Sequence, residues 1–159
     1  MIQPLTIHSI RDNPMNTQQL KSYVANHWPP VSNVFSDTID QCFATENALP
    51  QCYYIMDNEQ IIGFYQLLEK ELIERTDLSP WISCVFIDEN RRGERLIEQL
   101  LLHGRITAGN LGFDKVYLTT DHIHLYEKFG FREIGIDRFV WGRPTKIYEH
   151  HTIKSSIFK

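Results

Sequence analysis

Apolar and polar positions change period several times along this chain. Leu5 to Ile10 alternates weakly, as a first strand would. Asp12-Asn13-Pro14 breaks the chain and opens a helix through Met15–His27, which Trp28-Pro29-Pro30 ends because proline cannot continue it. Ser32 or Asn33 can cap a second helix with Val34, Phe35, Ile39, Cys42 and Phe43 on one side. Cys52–Met56 and Gln60–Leu68 are strand-like on either side of the turn residues Asp57-Asn58-Glu59, the pattern of a hairpin. Trp81–Ile87 is a nearly continuous apolar run, as in a strand covered on both faces.

Beyond Asp88-Glu89-Asn90 the period becomes helical. Ile97, Leu100, Leu101, Gly104, Ala108 and Leu111 fall on one face, and Gly112 suits the position just past the helix end. Lys115–Thr119 is the next strand, and a helix-length crossover from Trp81–Ile87 makes the two parallel. His122–Phe129 reads as a short helix stopped by Gly130. Phe131–Val140 and Thr145–His151 flank Gly142-Arg143-Pro144 as a closing hairpin, followed by a polar tail from Lys154.

The order β-α-α-β-β-β-α-β-α-β-β describes an α/β (α+β) fold. It is a mixed, largely antiparallel sheet of about seven strands with one central parallel β-α-β unit and about four helices. The chain has 159 residues, which suits a single domain: helices over 1–49, the core sheet over 51–151 and a tail over 152–159. Ligands of such sheets favour the carboxyl end of the parallel strands.

Composition narrows the function. With 42% hydrophobic and 23% charged residues the chain is an ordinary globular one. The 16 Lys+Arg against 20 Asp+Glu give a net charge of −4, which disfavours a nucleic-acid partner and suits a cationic ligand. No run approaches the roughly 20 apolar residues of a membrane span. The segment MIQPLTIHSIRDNP has no apolar signal core, so a cytoplasmic location is expected. Cys42, Cys52 and Cys84 are odd in number and lack Cys-x-x-Cys spacing, so they read as reduced thiols, with Cys84 a small core residue.

The junction D-E-N-R-R-G-E-R-L carries the chemistry. A strand turning directly into a helix at Arg-Gly presents free backbone N–H groups and the positive end of the helix dipole to an anion. Arg91, Arg92 and Arg95 add charge in a fork geometry suited to a diphosphate. The spacing is neither G-x-G-x-x-G nor G-x-x-x-x-G-K-[ST], so NAD and ATP chemistry are disfavoured. Taken without context, an ordinary basic helix start at the surface explains the cluster as well.

The stretch V-F-I-D-E-N-R-R-G-E-R-L-I-E-Q-L-L, residues 85–101, resembles the acetyl-CoA-binding motif of the GCN5-related N-acetyltransferases. T-T-D-H-I-H-L-Y-E-K-F-G-F, residues 119–131, resembles that family's second hallmark, and E-L-I-E-R-T-D-L-S-P-W, residues 71–81, resembles the approach to its central strand. The resemblance spans Ile61 to the closing hairpin. It implies an acetyl-CoA-dependent N-acetyltransferase. Its co-substrate is acetyl-CoA, and its acceptor is a small-molecule or peptide amine. No metal is implied, and a homodimer is common in the family. By the same resemblance Val85, Phe86 and Ile87 pair their backbone with the pantetheine arm, and the loop of Arg91, Arg92, Gly93, Glu94, Arg95, Leu96 and Ile97 holds the pyrophosphate. Arg95 and Ile97 depart from the motif's small residues, and the Arg95 guanidinium itself is then a candidate phosphate contact.

Acetyl transfer needs a neutral amine, donors for an oxyanion and a proton donor for the departing thiolate. Tyr126 matches the family's tyrosine and is the expected donor. Among Glu69, Glu71, Glu74 and Asp77, Glu71 is the favoured base and Asp77 the second. A solvated acidic loop is the plainer reading of these carboxylates. Asp121 reads as the cap of the short helix or an acceptor-site residue, His122 as an acceptor-site residue or alternative base, and Trp81 as core or acceptor wall. A binding-only acyl-CoA module of the same fold is the alternative that Arg95 and Ile97 raise and Tyr126 opposes.

Overall fold

The computed structural model describes residues 5–154. Residues 1–4 and 155–159, which include the first residues of the N-terminal reading and most of the polar tail, lie outside the described residues. The elements are β1 (Thr6–Ser9), α1 (Thr17–His27), α2 (Ser32–Ala44), β2 (Gln51–Asp57), β3 (Gln60–Leu68), β4 (Trp81–Ile87), α3 (Leu96–Asn110), β5 (Lys115–Thr120), β6 (Arg132–Arg138) and β7 (Pro144–His151). The strands form one seven-stranded sheet in the order β1-β2-β3-β4-β5-β7-β6. β4 and β5 run parallel, paired at Trp81↔Tyr117, while β1/β2, β2/β3, β5/β7 and β6/β7 are antiparallel. This is the mixed sheet that the periods predict. The chain groups into two compact units, Met1–Leu67 with Cys84–Leu100, and Leu68–Ser83 with Leu101–Lys159.

In the first unit α1 and α2 bury one stripe each against the sheet. On α2 the buried stripe is Phe35, Thr38, Ile39 and Cys42, spaced i, i+3, i+4, i+7. Val34 and Phe43, expected on that side, are each 46% exposed, because they lie about 100° to either side of the stripe. Thr38 takes the middle place by donating its hydroxyl to the Val34 carbonyl at 3.1 Å. Neither Ser32 nor Asn33 caps this helix. Pro29–Val31 forms a 3₁₀ turn that runs straight into α2, so the chain enters already turning. Asn58, at φ +57, makes the two-residue turn between β2 and β3.

In the second unit α3 ends in a full Schellman motif. Gly112, at φ +98, donates its N–H to Gly109 O at 3.0 Å, and Phe113 N–H reaches Ala108 O at 3.1 Å. Leu111 falls past this stop and is 42% exposed rather than on the core face. The expected helix over His122–Phe129 shrinks to a 3₁₀ turn at Tyr126–Phe129. His124 sits at φ +64, a left-handed residue that no α-helix from His122 could contain. That leaves three α-helices among the described residues instead of about four. Gly130, at φ +87, stops the turn as expected.

β4 departs from its pattern in one respect. Ser83–Phe86 are only half-buried, and Cys84 adopts φ +52 in mid-strand. A left-handed residue inside a strand bends it and interrupts its pairing.

Candidate active site

The end of β4 is held close to β3 by a missing side chain. A Cβ on Gly63 would lie 2.9 Å from both the Phe86 carbonyl and the Ile87 side chain, so only glycine lets the strands approach here. Phe86 stacks on Phe64 at 5.1 Å, and the Asp88 N–H bonds to Ile62 O at 2.8 Å. These contacts aim the chain leaving Ile87.

Asp88 organises the turn that follows. Its Oδ1 accepts from Asn90 N–H at 3.0 Å, and its Oδ2 accepts from the Tyr23 hydroxyl of α1 at 3.0 Å. The backbone N–H bond and the tyrosine hold its carboxyl below the usual range. Burial and the Asp88 partnership push the Tyr23 phenol up. Glu89–Arg91 forms one 3₁₀ turn, Arg92 is extended, and Gly93 sits at φ +92. A Cβ on Gly93 would meet nothing within 4 Å, so the glycine serves conformation and the space above it is open. Arg95 carries a full side chain through φ +61. α3 then begins at Leu96, which is 3% exposed and anchors the helix start in the core.

The three arginines have different fates. Arg91 donates to Glu94 at 2.8 and 3.1 Å and to Asp57 Oδ2 at 2.6 Å, and these carboxylates raise its pKa. It braces the loop and is not left for a phosphate. Arg92 lies with its guanidinium 5.6 Å from the Phe86 ring centre and gives Nε–H to Ile87 O at 3.2 Å. Arg95 is 82% exposed, with Glu98 at 3.5 Å. Three arginines face four carboxylates between Asp88 and Glu98, so the loop is not a basic patch as a whole. What favours an anion is the helix start itself, where Leu96, Ile97 and Glu98 have no intrahelical acceptor for their N–H groups, with Arg92 and Arg95 beside it. Open space over Gly93, the helix-start amides and the exposed guanidinium groups of Arg92 and Arg95 suit a diphosphate.

The second unit holds the remaining candidates. Tyr126 opens the 3₁₀ turn and is 8% exposed, and burial pushes its phenol up to about 12. Its ring meets Phe131 edge-on at 6.2 Å. Glu71 is half-buried; its Oε1 accepts Leu72 N–H at 2.9 Å and the carboxylate also meets the Ser83 side chain. Burial wins over these bonds and raises its pKa. Asp77 is different: exposed and clasped by Arg75 at 2.7 and 3.1 Å, its carboxyl is held down, which makes it a weak base. The segment bearing these acids is pinned to β6 and the hairpin. Glu74 N–H bonds to Arg138 O at 2.9 Å and Val140 N–H to Leu72 O at 3.0 Å. Trp81, at 1% exposure, is a core residue whose indole N–H bonds to Leu78 O at 2.9 Å. Asp121 caps no helix, since Leu125 precedes the turn; it pairs with Arg143 at the surface. His122 is exposed and its N–H bonds to Thr120 Oγ1 at 3.0 Å.

A family model for the acetyltransferase (GNAT) domain matches residues 49–133, more than half of the chain. The chain belongs to the GNAT acetyltransferases. As a GNAT enzyme it is an acyltransferase with acetyl-CoA as co-substrate. Solved GNAT structures share its fold. A GNAT-family protein from Desulfovibrio desulfuricans aligns with TM-score 0.74 at 13% identity, over 93% of this chain and 99% of its own. An aminoglycoside 6′-N-acetyltransferase in complex with coenzyme A gives 0.71 at 15%, over 96% and 99%. A mutant spermidine N-acetyltransferase from Vibrio cholerae gives 0.64 at 18%, over 92% and 93%. No curated protein matches the sequence significantly. No helix among the described residues is long and apolar enough to cross a membrane.

Several participants were invisible to sequence reasoning. Asp57 braces Arg91 from 34 residues away, Tyr23 holds Asp88 from 65, and Ser83 touches Glu71 across the bend of its segment. No local period signals them. Gly63 did carry a signal, since a lone glycine inside a strand pattern marks a close backbone approach.

Proposed function

We propose that this GNAT enzyme transfers the acetyl group of acetyl-CoA directly to the primary amine of a small-molecule or peptide acceptor. The observation that carries the reading is Glu71, a half-buried carboxylate kept by burial above the ordinary range yet held in place by two hydrogen bonds. Such a group is suited to take a proton from an ammonium, directly or through water, at a pH where Asp77 is too weak a base. The amides of Leu96–Glu98 with Arg92 and Arg95 hold the diphosphate, and the β4 backbone over Val85–Ile87 receives the pantetheine arm. Tyr126 donates to the thiolate as it departs. Neither the loop over residues 88–98 nor the acidic segment over residues 69–77 carries a cysteine, which favours direct transfer over an acetyl-enzyme.

The acceptor class rests on two supports. The segment from Glu69 to Asp77 carries four carboxylates and two cations, a bias towards a cationic amine. Proteins of the same fold include acetyltransferases of aminoglycosides and of spermidine, both small molecules with several amines. The test is release of the CoA thiol from acetyl-CoA across a panel of polyamines, aminoglycosides, amino acids and N-terminal peptides. Turnover with at least one small amine, lowered about 100-fold in Glu71→Gln, is the expected result. Turnover that survives Glu71→Gln unchanged removes Glu71 as the base. Binding of acetyl-CoA without turnover on any amine removes the catalytic reading.

A further inference from the structure

Two of the three cysteines face each other in the core of the first unit. Cys42 comes from the last turns of α2 and Cys52 from the start of β2, and their Sγ atoms are 3.7 Å apart. Both are buried, at 2% and 0% exposure, among Ile10, Leu20, Phe35 and Ile39. A cysteine that merely fills an apolar core has no need of polar neighbours, and these have two, Gln66 and Arg11. Gln66 Nε2–H donates to Cys52 Sγ at 3.3 Å and to Phe35 O at 3.3 Å. Arg11 sends Nη2–H to Pro50 O at 2.8 Å, while its buried Nε–H has no hydrogen-bond partner. The hydrogen bond with Cys52, joined by the charge of Arg11, pulls the Cys42 thiol down, and burial holds Cys52 up. One sulfur is thus biased towards thiolate and the other towards thiol, the pairing that thiol oxidation uses.

We propose that Cys42 and Cys52 are a modification site, a dithiol that closes reversibly to a disulfide when it meets a hydroperoxide. The Cys42 thiolate attacks a peroxide oxygen, the O–O bond breaks, and Cys42 becomes a sulfenic acid as hydroxide leaves. Cys52 then attacks the Cys42 sulfur. The S–O bond breaks, the S–S bond forms, and the Cys52 proton leaves with the hydroxyl group as water. With hydrogen peroxide the sum is two thiols and one peroxide giving one disulfide and two waters, with the thiols oxidised and the peroxide reduced. A disulfide bond is about 2.05 Å long, so the sulfurs must close by roughly 1.7 Å from their 3.7 Å separation, a distance that side-chain rotation covers. A hydroperoxide as small as hydrogen peroxide suits a buried pair better than a bulky disulfide reagent. The closed bond ties the end of α2 to β2 across the segment Thr45–Pro50.

The test uses the native protein and does not depend on acetyl transfer. It is exposed to a few equivalents of hydrogen peroxide, quenched, denatured and titrated for thiols. The count is expected to fall from three to one and to return to three with a reductant. A glutamyl endopeptidase cuts after Glu46, between the two cysteines, so mass spectrometry of the non-reduced digest should find the two fragments joined. Cys84→Ser protein should go from two thiols to none. Should that variant fail to fold, the peptide map of the native chain still decides. Retention of three thiols overturns the proposal. So does a link from Cys52 to Cys84, a link between chains, or over-oxidation of Cys42 with no cross-link.

Discussion

Tyr126→Phe removes one oxygen and leaves the ring that packs on Phe131 at 6.2 Å, so it tests the hydroxyl alone. With burial pushing the phenol up to about 12, the group stays protonated at every working pH. A thiol near pKa 8.5 is the stronger acid by about 3.5 units, so full proton transfer from Tyr126 to the thiolate runs uphill by about 5 kcal/mol. The useful act of Tyr126 is therefore a hydrogen bond to the developing thiolate, and the thiolate's proton comes from the cationic nitrogen of the tetrahedral intermediate, formed after Glu71 has neutralised the free ammonium. Such a bond to a charged acceptor contributes about 1.5–3 kcal/mol. Its loss should lower kcat by about 10- to 100-fold. Steady-state kinetics with CoA-thiol detection reads that change, while calorimetric titration of acetyl-CoA should show affinity unaltered. The sign in pH follows from the donor's role: activity falls as pH rises through its pKa, so a phenol at about 12 gives the native enzyme no alkaline limb near pH 10. A fully active Tyr126→Phe enzyme refutes the reasoning. An alkaline limb near pH 10 that vanishes in the variant refutes the pKa on which it rests.

Glu71→Gln should abolish the acidic limb of kcat/KM, which in the native enzyme lies above the usual carboxylate range, and should cost about 100-fold in kcat. Because the folded state raises this pKa, the Glu71 contribution to stability is present below the unfolded pKa and lost as pH rises through the folded one; at neutral pH the glutamine variant should therefore melt no lower than the native chain. Arg92→Ala and Arg95→Ala should each weaken acetyl-CoA binding by about fivefold or less, as exposed guanidinium contacts do, whereas Arg91→Ala should act through loop order and be reversed by no excess of acetyl-CoA. Unchanged affinity in both Arg92→Ala and Arg95→Ala would leave the backbone amides as the whole anion site. Gly63→Ala places a Cβ 2.9 Å from the Phe86 carbonyl and should lower stability by about 1–3 kcal/mol in urea unfolding; an unchanged midpoint would mean that β3 and β4 have slack there.

Much of the molecule was legible one residue at a time. β3 and β4 appear with the ends that alternation and apolar runs predict, and the Gly112 and Gly130 stops hold because glycine alone reaches their left-handed backbone without cost. The misreadings share a cause. The helix over His122–Phe129 failed at His124, whose positive φ no period reveals. Val34 and Phe43 were placed on the buried stripe of α2 by hydrophobicity, but Thr38 satisfies its hydroxyl within the helix and takes the position between them.

The sequence by itself determined the order of the elements, the turn from β4 into α3 and the presence of Tyr126 and Glu71. Periods, punctuating glycines and motif spacing are local properties of the chain. Only the tertiary structure decided how each charge is used. Arg91 is spent on Asp57 and Glu94, Asp77 on Arg75, and Asp121 on Arg143, while Glu71 stays half-buried and keeps a raised pKa. The same holds for Cys42 and Cys52, ten residues apart in the chain and 3.7 Å apart at sulfur. A side chain's acidity and partners depend on its neighbours in space and its distance from water, and the chain brings those together only by folding.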